Sequence, residues 1–392
     1  MFFGMTTDGG QHGKGTIFKI QGDGTNYEEI HNFDQLTGAN PKGALLLGND
    51  GLLYGMTNRG GANDKGLVFR IYTDGTEYTS LKEFDENTGK WPLGHLIQAS
   101  DNKLYGMTSI GGSLGNGTIF KINIDGTSFE LLKDFSISKR PQGSLFEAED
   151  GNLYGTTAIG GSDNAGTVFK LSKDGSDFEI IHDFIGNGGP GSINPYGDLI
   201  QATDGKLYGT TFWTFGGTIF SIHPDGSGFE QLYTFNNNGG GKPQGNLIEG
   251  VDSKLYGLTQ EGGVNDLGSI FKINLDGSDF SSLHDFSSSE GNNPRGSLIL
   301  GSDQNFYGMA NAGPYNAGTI FTLNQDGTEH TDIHHFGSVN GSLPSGHFTS
   351  NHRGFIFGTM NSGGVNSTDR QKGALFKWNV LTKQYNQLFE FS

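Results

Sequence analysis

The chain of 392 residues contains no cysteine. That excludes a disulfide framework, a thiolate zinc site and a cysteine nucleophile. No stretch approaches 18 consecutive apolar residues, so no transmembrane helix is expected. Basic residues are few: 25 Lys and Arg stand against 42 Asp and Glu, a formal charge of −17. Such a balance argues against a nucleic-acid partner, which needs a basic stripe, and against an anionic membrane surface. Proline occurs only 10 times, and no glycine-serine, proline-rich or single-sign run marks a linker. Helical periodicity is missing throughout. Among motifs, there is no Ser-His-Asp elbow, phosphate loop, His-x-x-x-His pair or paired-carboxylate signature. Neither catalytic residues nor a cofactor nor a metal site is therefore expected.

Glycine is abundant, at 67 of 392 residues, and most glycines recur at fixed places. A phrase built on Leu-Tyr-Gly-Met-Thr, Gly-Gly, Gly-Thr-Ile-Phe and Asp-Gly-Thr returns about every fifty residues. Two phenylalanines keep the beat. One closes each copy, at Phe33, Phe84, Phe135, Phe184, Phe235, Phe286, Phe336 and Phe391. The other lies at Phe18, Phe69, Phe120, Phe169, Phe220, Phe271, Phe321 and Phe376. The copies span about 1–40, 41–91, 92–140, 141–193, 194–242, 243–293, 294–343 and 344–392.

Each copy divides into four short segments rich in β-branched and aromatic residues, here strands A to D. Tight turns such as Asp50-Gly51 join A to B, and Asp125-Gly126 or its equivalent joins C to D. Asp-Gly suits them because glycine adopts positive φ at little cost. One carboxylate per turn lacks the ligand density that calcium requires, so these aspartates read as turn residues. The B–C and D–A connections are longer. Only D–A is long enough to cross a sheet from outer to inner edge, which puts A innermost and D outermost. Strand A is nearly all apolar and is expected to be buried on both faces; D alternates, as at a solvated edge. The expectation is a single all-β domain: an eight-bladed β-propeller of four-stranded repeats. Only seven A segments are present, because the chain starts on a B strand. The first blade is thus expected to lack its inner strand, and the unpaired backbone this leaves argues for an upstream segment.

The copies Leu153 to Leu171 (LYGTTAIGGSDNAGTVFKL) and Leu104 to Ile122 (LYGMTSIGGSLGNGTIFKI) carry the repeat most clearly. With them the chain resembles the GloVer tandem-repeat family of bacterial proteins along essentially its whole length. The resemblance implies an exported surface protein, although this sequence shows neither an export signal nor an anchor. It transfers no catalytic residue. A likeness to sensor-type propellers with an Asp-Gly-x-Leu-Trp-x-Gly-Thr phrase concerns the fold only.

Function is sought where copies deviate on the long-loop face. In copy five the B–C loop reads Phe212-Trp213-Thr214-Phe215, a candidate sugar-stacking platform or a filler for a shortened loop. Trp91, before Pro92 in a D–A connection, is a second candidate. His95, Asp198 and His347 follow Pro-x-Gly on strand A, where other copies have small residues. They are expected to line the central channel or its mouth. His31, His182, His284 and His334 share one strand-D position with Lys82, Lys133 and Tyr233, and are expected to face solvent. The resulting expectation is a monomeric, non-enzymatic binding module for a glycan or another surface macromolecule. A polysaccharide-active enzyme with residues from several blades is the alternative.

Overall fold

A computed structural model describes residues 1–136, 140–141, 143–186, 194–195, 197–213, 216–235, 241–243, 245–315, 317–337, 342–350, 354–362 and 373–391. All regular structure in it is β, in eight antiparallel sheets that are the blades of a β-propeller. Blade one has three strands, Phe2–Thr6, Thr16–Ile20 and Glu28–Asn32. Blade two shows the full repeat: A is Leu46–Leu47, B Leu53–Thr57, C Leu67–Ile71 and D Thr79–Glu83, hydrogen-bonded in that order. The chain divides into two compact units. One comprises 1–187 with 224–226 and the other 188–223 with 227–392.

Strand A is much shorter than its apolar run suggests. It pairs over two residues, as in Leu46↔Tyr54 and Leu47↔Leu53. Leu96, Leu145 and Leu298 are buried, but the paired residues after them are half-exposed, so A is not covered on both faces. The cause is Pro-x-Gly. Proline cannot donate to the ladder, and the glycine meets the neighbouring blade: a Cβ on Gly94 would lie 2.5 Å from the Gly143 carbonyl oxygen. Just before this break the D–A connection forms an isolated bridge to the segment that follows strand B, such as Ala39↔Arg59 or Lys90↔Ile110. In blade seven the bridge grows into a strand, Asn292–Pro294, and in blade eight both pieces merge into Ser342–Ser350.

The tight turns are built by their aspartates. Asp74 Oδ1 accepts the Thr76 N–H at 2.9 Å and the Thr76 hydroxyl at 2.6 Å. In the A–B turn the buried Tyr54 hydroxyl donates to Asp50 at 2.6 Å, and Tyr105, Tyr154, Tyr208, Tyr256 and Tyr307 repeat the bond.

Apolar residues collect between blades rather than within them. Ile17, Ile30 and Phe33 of blade one pack on Leu53, Leu67, Phe69 and Ile71 of blade two. The closing phenylalanine of one blade meets the strand-C phenylalanine of the next edge to face. Phe33–Phe69, Phe84–Phe120, Phe135–Phe169, Phe235–Phe271 and Phe286–Phe321 have centroids 5.2 to 5.8 Å apart. The strand-B glycine supplies the space. Gly155 lies opposite Phe169, and a Cβ there would sit 2.5 Å from the ring's Cζ. That ring is held by Phe135 and Phe178 and cannot retreat. Gly155→Ala is expected to destabilise the protein by about 1–3 kcal/mol, read as a lower denaturant midpoint. An unchanged midpoint would contradict the packing.

The strand-D histidines are not solvent-facing. His31 stacks on Tyr78 of the next blade with centroids 3.9 Å apart and planes 1° apart, and His334 stacks on Tyr385 at 3.6 Å and 5°. Tyr233 does the same on Phe280, and Lys133 places its ammonium 4.1 Å over Phe178. Histidine, tyrosine and lysine are interchangeable here because each offers a flat face or a cation to an aromatic ring. Burial pulls His31, His182 and His334 from the ordinary 6.5 down to about 4, with the carboxylates of Asp34 and Asp183 opposing the first two and the charge of His335 reinforcing the third. The folded state keeps these rings neutral while the unfolded chain takes up protons below 6.5. Their contribution to stability is therefore complete above pH 6.5 and falls away as pH drops toward 4. Replacing His31 and His334 with tyrosine should lessen the fall in denaturant midpoint between pH 7 and 4.5. An identical pH dependence would refute this account.

Candidate functional site

Within each blade the antiparallel order brings the B–C and D–A connections out at the same end. Trp91 sits there, in the D–A connection between blades two and three. Its backbone is left-handed, with φ of 57°. The equivalent positions, Asn40, Asn194, Lys242 and Asn293, also have positive φ. Asparagine tolerates that conformation; a bulky aromatic is rarely placed in it. Two hydrogen bonds hold the backbone. The Trp91 N–H donates to the Lys65 carbonyl at 3.0 Å, and the Ser109 hydroxyl donates to the Trp91 carbonyl at 2.6 Å.

Three cations surround the indole. The Arg59 guanidinium lies 4.0 Å from the ring centroid, the Lys90 ammonium 5.3 Å and the Lys65 ammonium 5.9 Å. Both lysines pair with the exposed Glu86, at 2.7 and 2.9 Å, which holds its carboxyl below the usual range. Arg59 is 3.9 Å from Asp64. The Trp91 Nε1–H is buried without a hydrogen-bond acceptor among the described residues. Strained backbone, an unsatisfied donor and a cation cluster thus coincide at one residue of the loop end. The sequence singles out Trp91 but not Arg59, Lys65 and Lys90. Arg59 and Lys65 come from one B–C connection, that of blade two, and Lys90 from the following D–A connection; only the fold brings the first two to the tryptophan.

The remaining sequence candidates fall elsewhere. Phe212 and Trp213 do not form a loop but extend strand B of blade five, Leu207–Trp213, pairing with Gly217 and Gly216. Phe212 is half-buried, and its N–H donates to the Asn194 carbonyl at 2.9 Å. Phe215 lies outside the described residues. His95 and Asp198 sit at the inner edge of their sheets and bond to the equivalent residue of the next blade. Ser144 Oγ is 2.7 Å from His95 Nδ1 and accepts the His95 N–H at 3.2 Å. Asn246 Oδ1 accepts the Asp198 N–H at 2.9 Å, and Ser297 Oγ accepts the Asn246 N–H at 2.8 Å. This blade-to-blade chain explains the polar residues after Pro-x-Gly. His347 lies in Ser342–Ser350, a strand described by its backbone. Among the described residues, one group of side chains has the spacing of a metal-ligand set: His284, Glu290 and His330.

No helix is long and apolar enough to cross a membrane. No curated protein matches the chain. Solved structures do. A puromycin-hydrolysing peptidase of Mycobacterium tuberculosis aligns at 11% identity and TM-score 0.56 over 88% of this chain, which spans 52% of that one. A periplasmic gluconolactonase of Pseudomonas aeruginosa aligns at 14% and 0.54, covering 84% of this chain and 94% of that one. An oligogalacturonate lyase of Vibrio parahaemolyticus aligns at 14% and 0.50, covering 86% and 84%. At these identities the likeness is one of fold. The model of the Gloeobacter/Verrucomicrobia repeat matches residues 1–145 and 213–392, which is most of the sequence. With eight blades built on one recurring phrase and that match across both ends, the chain belongs to the Gloeobacter/Verrucomicrobia repeat family.

Proposed function

We propose that the protein is a non-enzymatic, extracellular binding propeller. Its ligand is a glycan bearing carboxylates, held at the loop end around Trp91. The observation that carries this reading is Trp91 itself. A rigid aromatic occupies a left-handed position that other copies give to asparagine or lysine, and such strain persists where function repays it. Arg59 beside the ring offers a planar fork suited to a carboxylate, with Lys65 and Lys90 adding charge. The indole supplies apolar surface for a sugar face. The overall charge of −17 disfavours polyanions at long range, so recognition depends on this local reversal of sign and is sensitive to salt. Family membership supports an exported setting.

The test is binding to polygalacturonate, alginate and neutral glucans, together with an assay for released products. The expectation is retention by the carboxylated polymers, weakening with salt and yielding no product. Trp91→Asn removes the indole but suits the backbone, so it should lower affinity at least about tenfold without loss of thermal stability. Arg59→Ala should weaken carboxylated ligands more than neutral ones. Failure to bind any of the polymers, or binding by Trp91→Asn equal to that of the parent, would refute the site. Product formation would favour the enzymatic alternative.

A further inference from the structure

The ring stack between neighbouring blades has one member unlike the others. Elsewhere the partners are His31 on Tyr78, Tyr233 on Phe280 and His334 on Tyr385. Between blades six and seven both partners are imidazoles: His284 stacks on His330 with centroids 3.5 Å apart and planes 8° apart. Two further changes fall beside the pair. The turn after the closing phenylalanine, which carries Thr37 and Thr88 four residues on in blades one and two, carries Glu290 in blade six. Two residues after the stacking ring, where other copies have Glu29, Ser80, Leu131, Ile180, Gln231, Ser282 and Gln387, stands Asp332. In blade one this turn already receives the stacking ring, since the Tyr78 hydroxyl donates to the Thr37 carbonyl. The sequence changes therefore meet in one place.

There the donors converge. The ligand atoms of His284, Glu290 and His330 all lie within 4.8 Å of one another. His284 Nε2 is 3.4 Å from Glu290 Oε2, an ion-pair distance without hydrogen-bond alignment, and His330 Nε2 is 3.9 Å from Asp332 Oδ1. His284 Nε2, His330 Nε2 and Asp332 Oδ1 are buried with no hydrogen-bond partner among the described residues. Three such orphans in one cluster are costly unless something satisfies them together. Burial keeps both imidazoles neutral, the form that ligates metals, with His330 lowered to about 4. Burial and the charge of Glu290 push the Asp332 carboxyl up to about 7, a conflict that a cation would relieve. Glu290 is fixed in advance. Its Oε2 accepts the Ser287 hydroxyl at 2.8 Å, and its carbonyl accepts the Thr319 hydroxyl at 2.7 Å.

We propose that His284, Glu290 and His330, with Asp332 as a fourth donor, form a binding site for one divalent transition-metal ion of the zinc class. Two imidazoles and carboxylates suit zinc and exclude calcium and magnesium, which take oxygen ligands. Donors about 2.0–2.1 Å from a tetrahedral ion lie about 3.3 Å apart, so binding draws the widest pair together and fans the parallel rings. The ion would tie strand D of blade six, Ser281–Asp285, to strand D of blade seven, Thr331–His335, at their outer edge. Its role is a clip between neighbouring blades. The site does not involve Trp91 and stands apart from the glycan reading.

The test uses the full chain, stripped with a chelator and titrated with Zn²⁺ against a chromophoric competitor, and with Co²⁺ followed by its visible absorption. His330→Phe retains a stackable ring, since other copies place Phe129, Phe178, Phe229 and Phe280 there. Glu290→Gln keeps the shape of the turn. His182→Tyr serves as a control away from the cluster. The expected result is one zinc per chain, a tetrahedral Co²⁺ spectrum and a melting temperature several degrees higher with saturating metal. His330→Phe and Glu290→Gln should weaken zinc by about 100-fold and abolish the thermal shift, while His182→Tyr changes neither. Absence of stoichiometric zinc binding, or zinc affinity in His330→Phe equal to that of the parent, would overturn the site.

Discussion

The edge-to-face contact between a blade's closing phenylalanine and the strand-C phenylalanine of the next blade is the constraint on which the rest depends. A short four-stranded sheet cannot bury both faces by itself. Here the faces are buried by the neighbouring blade, and the two phenylalanines set the spacing. The strand-B glycine is required because the ring lies over its Cα. The Pro-x-Gly break allows the inner edges to approach more closely than side chains would permit. The strand-D stack then closes the outer end of the same interface.

A scaffold so regular makes its exceptions informative. Where every copy solves the same packing problem, a residue that solves it worse has another reason to be there. Trp91 accepts a backbone conformation that asparagine adopts more readily, and its indole donor has no acceptor among the described residues. The pair His284 and His330 stacks as other rings do but leaves nitrogen atoms without hydrogen-bond partners among the described residues, beside two carboxylates. In both places the departure is chemical rather than architectural, because the strands around it keep the common register.

Much of the fold was legible in the sequence. The phenylalanine period gave the blade count, the Asp-Gly pairs gave the tight turns, and the unequal connections gave the strand order. Strand A was overestimated because an apolar run does not reveal that Pro-x-Gly interrupts pairing at the inner edge. The strand-D histidines were misjudged because alternation locates an edge strand but not the aromatic ring that the next blade lays upon it. Phe212 and Trp213 looked like loop residues because the shortened connection gives no sign that the hairpin itself lengthens.

The sequence by itself determined the all-β repeat, its phase, the turns and the odd residues worth attention. These are local properties, carried by hydrogen-bonding preferences and side-chain alternation within a few neighbours. Only the tertiary structure decided what the odd residues meet. Arg59 and Lys65 reach Trp91 from 32 and 26 positions earlier in the same copy, and His330 reaches His284 from 46 positions further along. The first encounter arises from two connections of one blade meeting at its loop end, and the second from the packing of one blade on the next; neither is contained in a single short stretch of sequence.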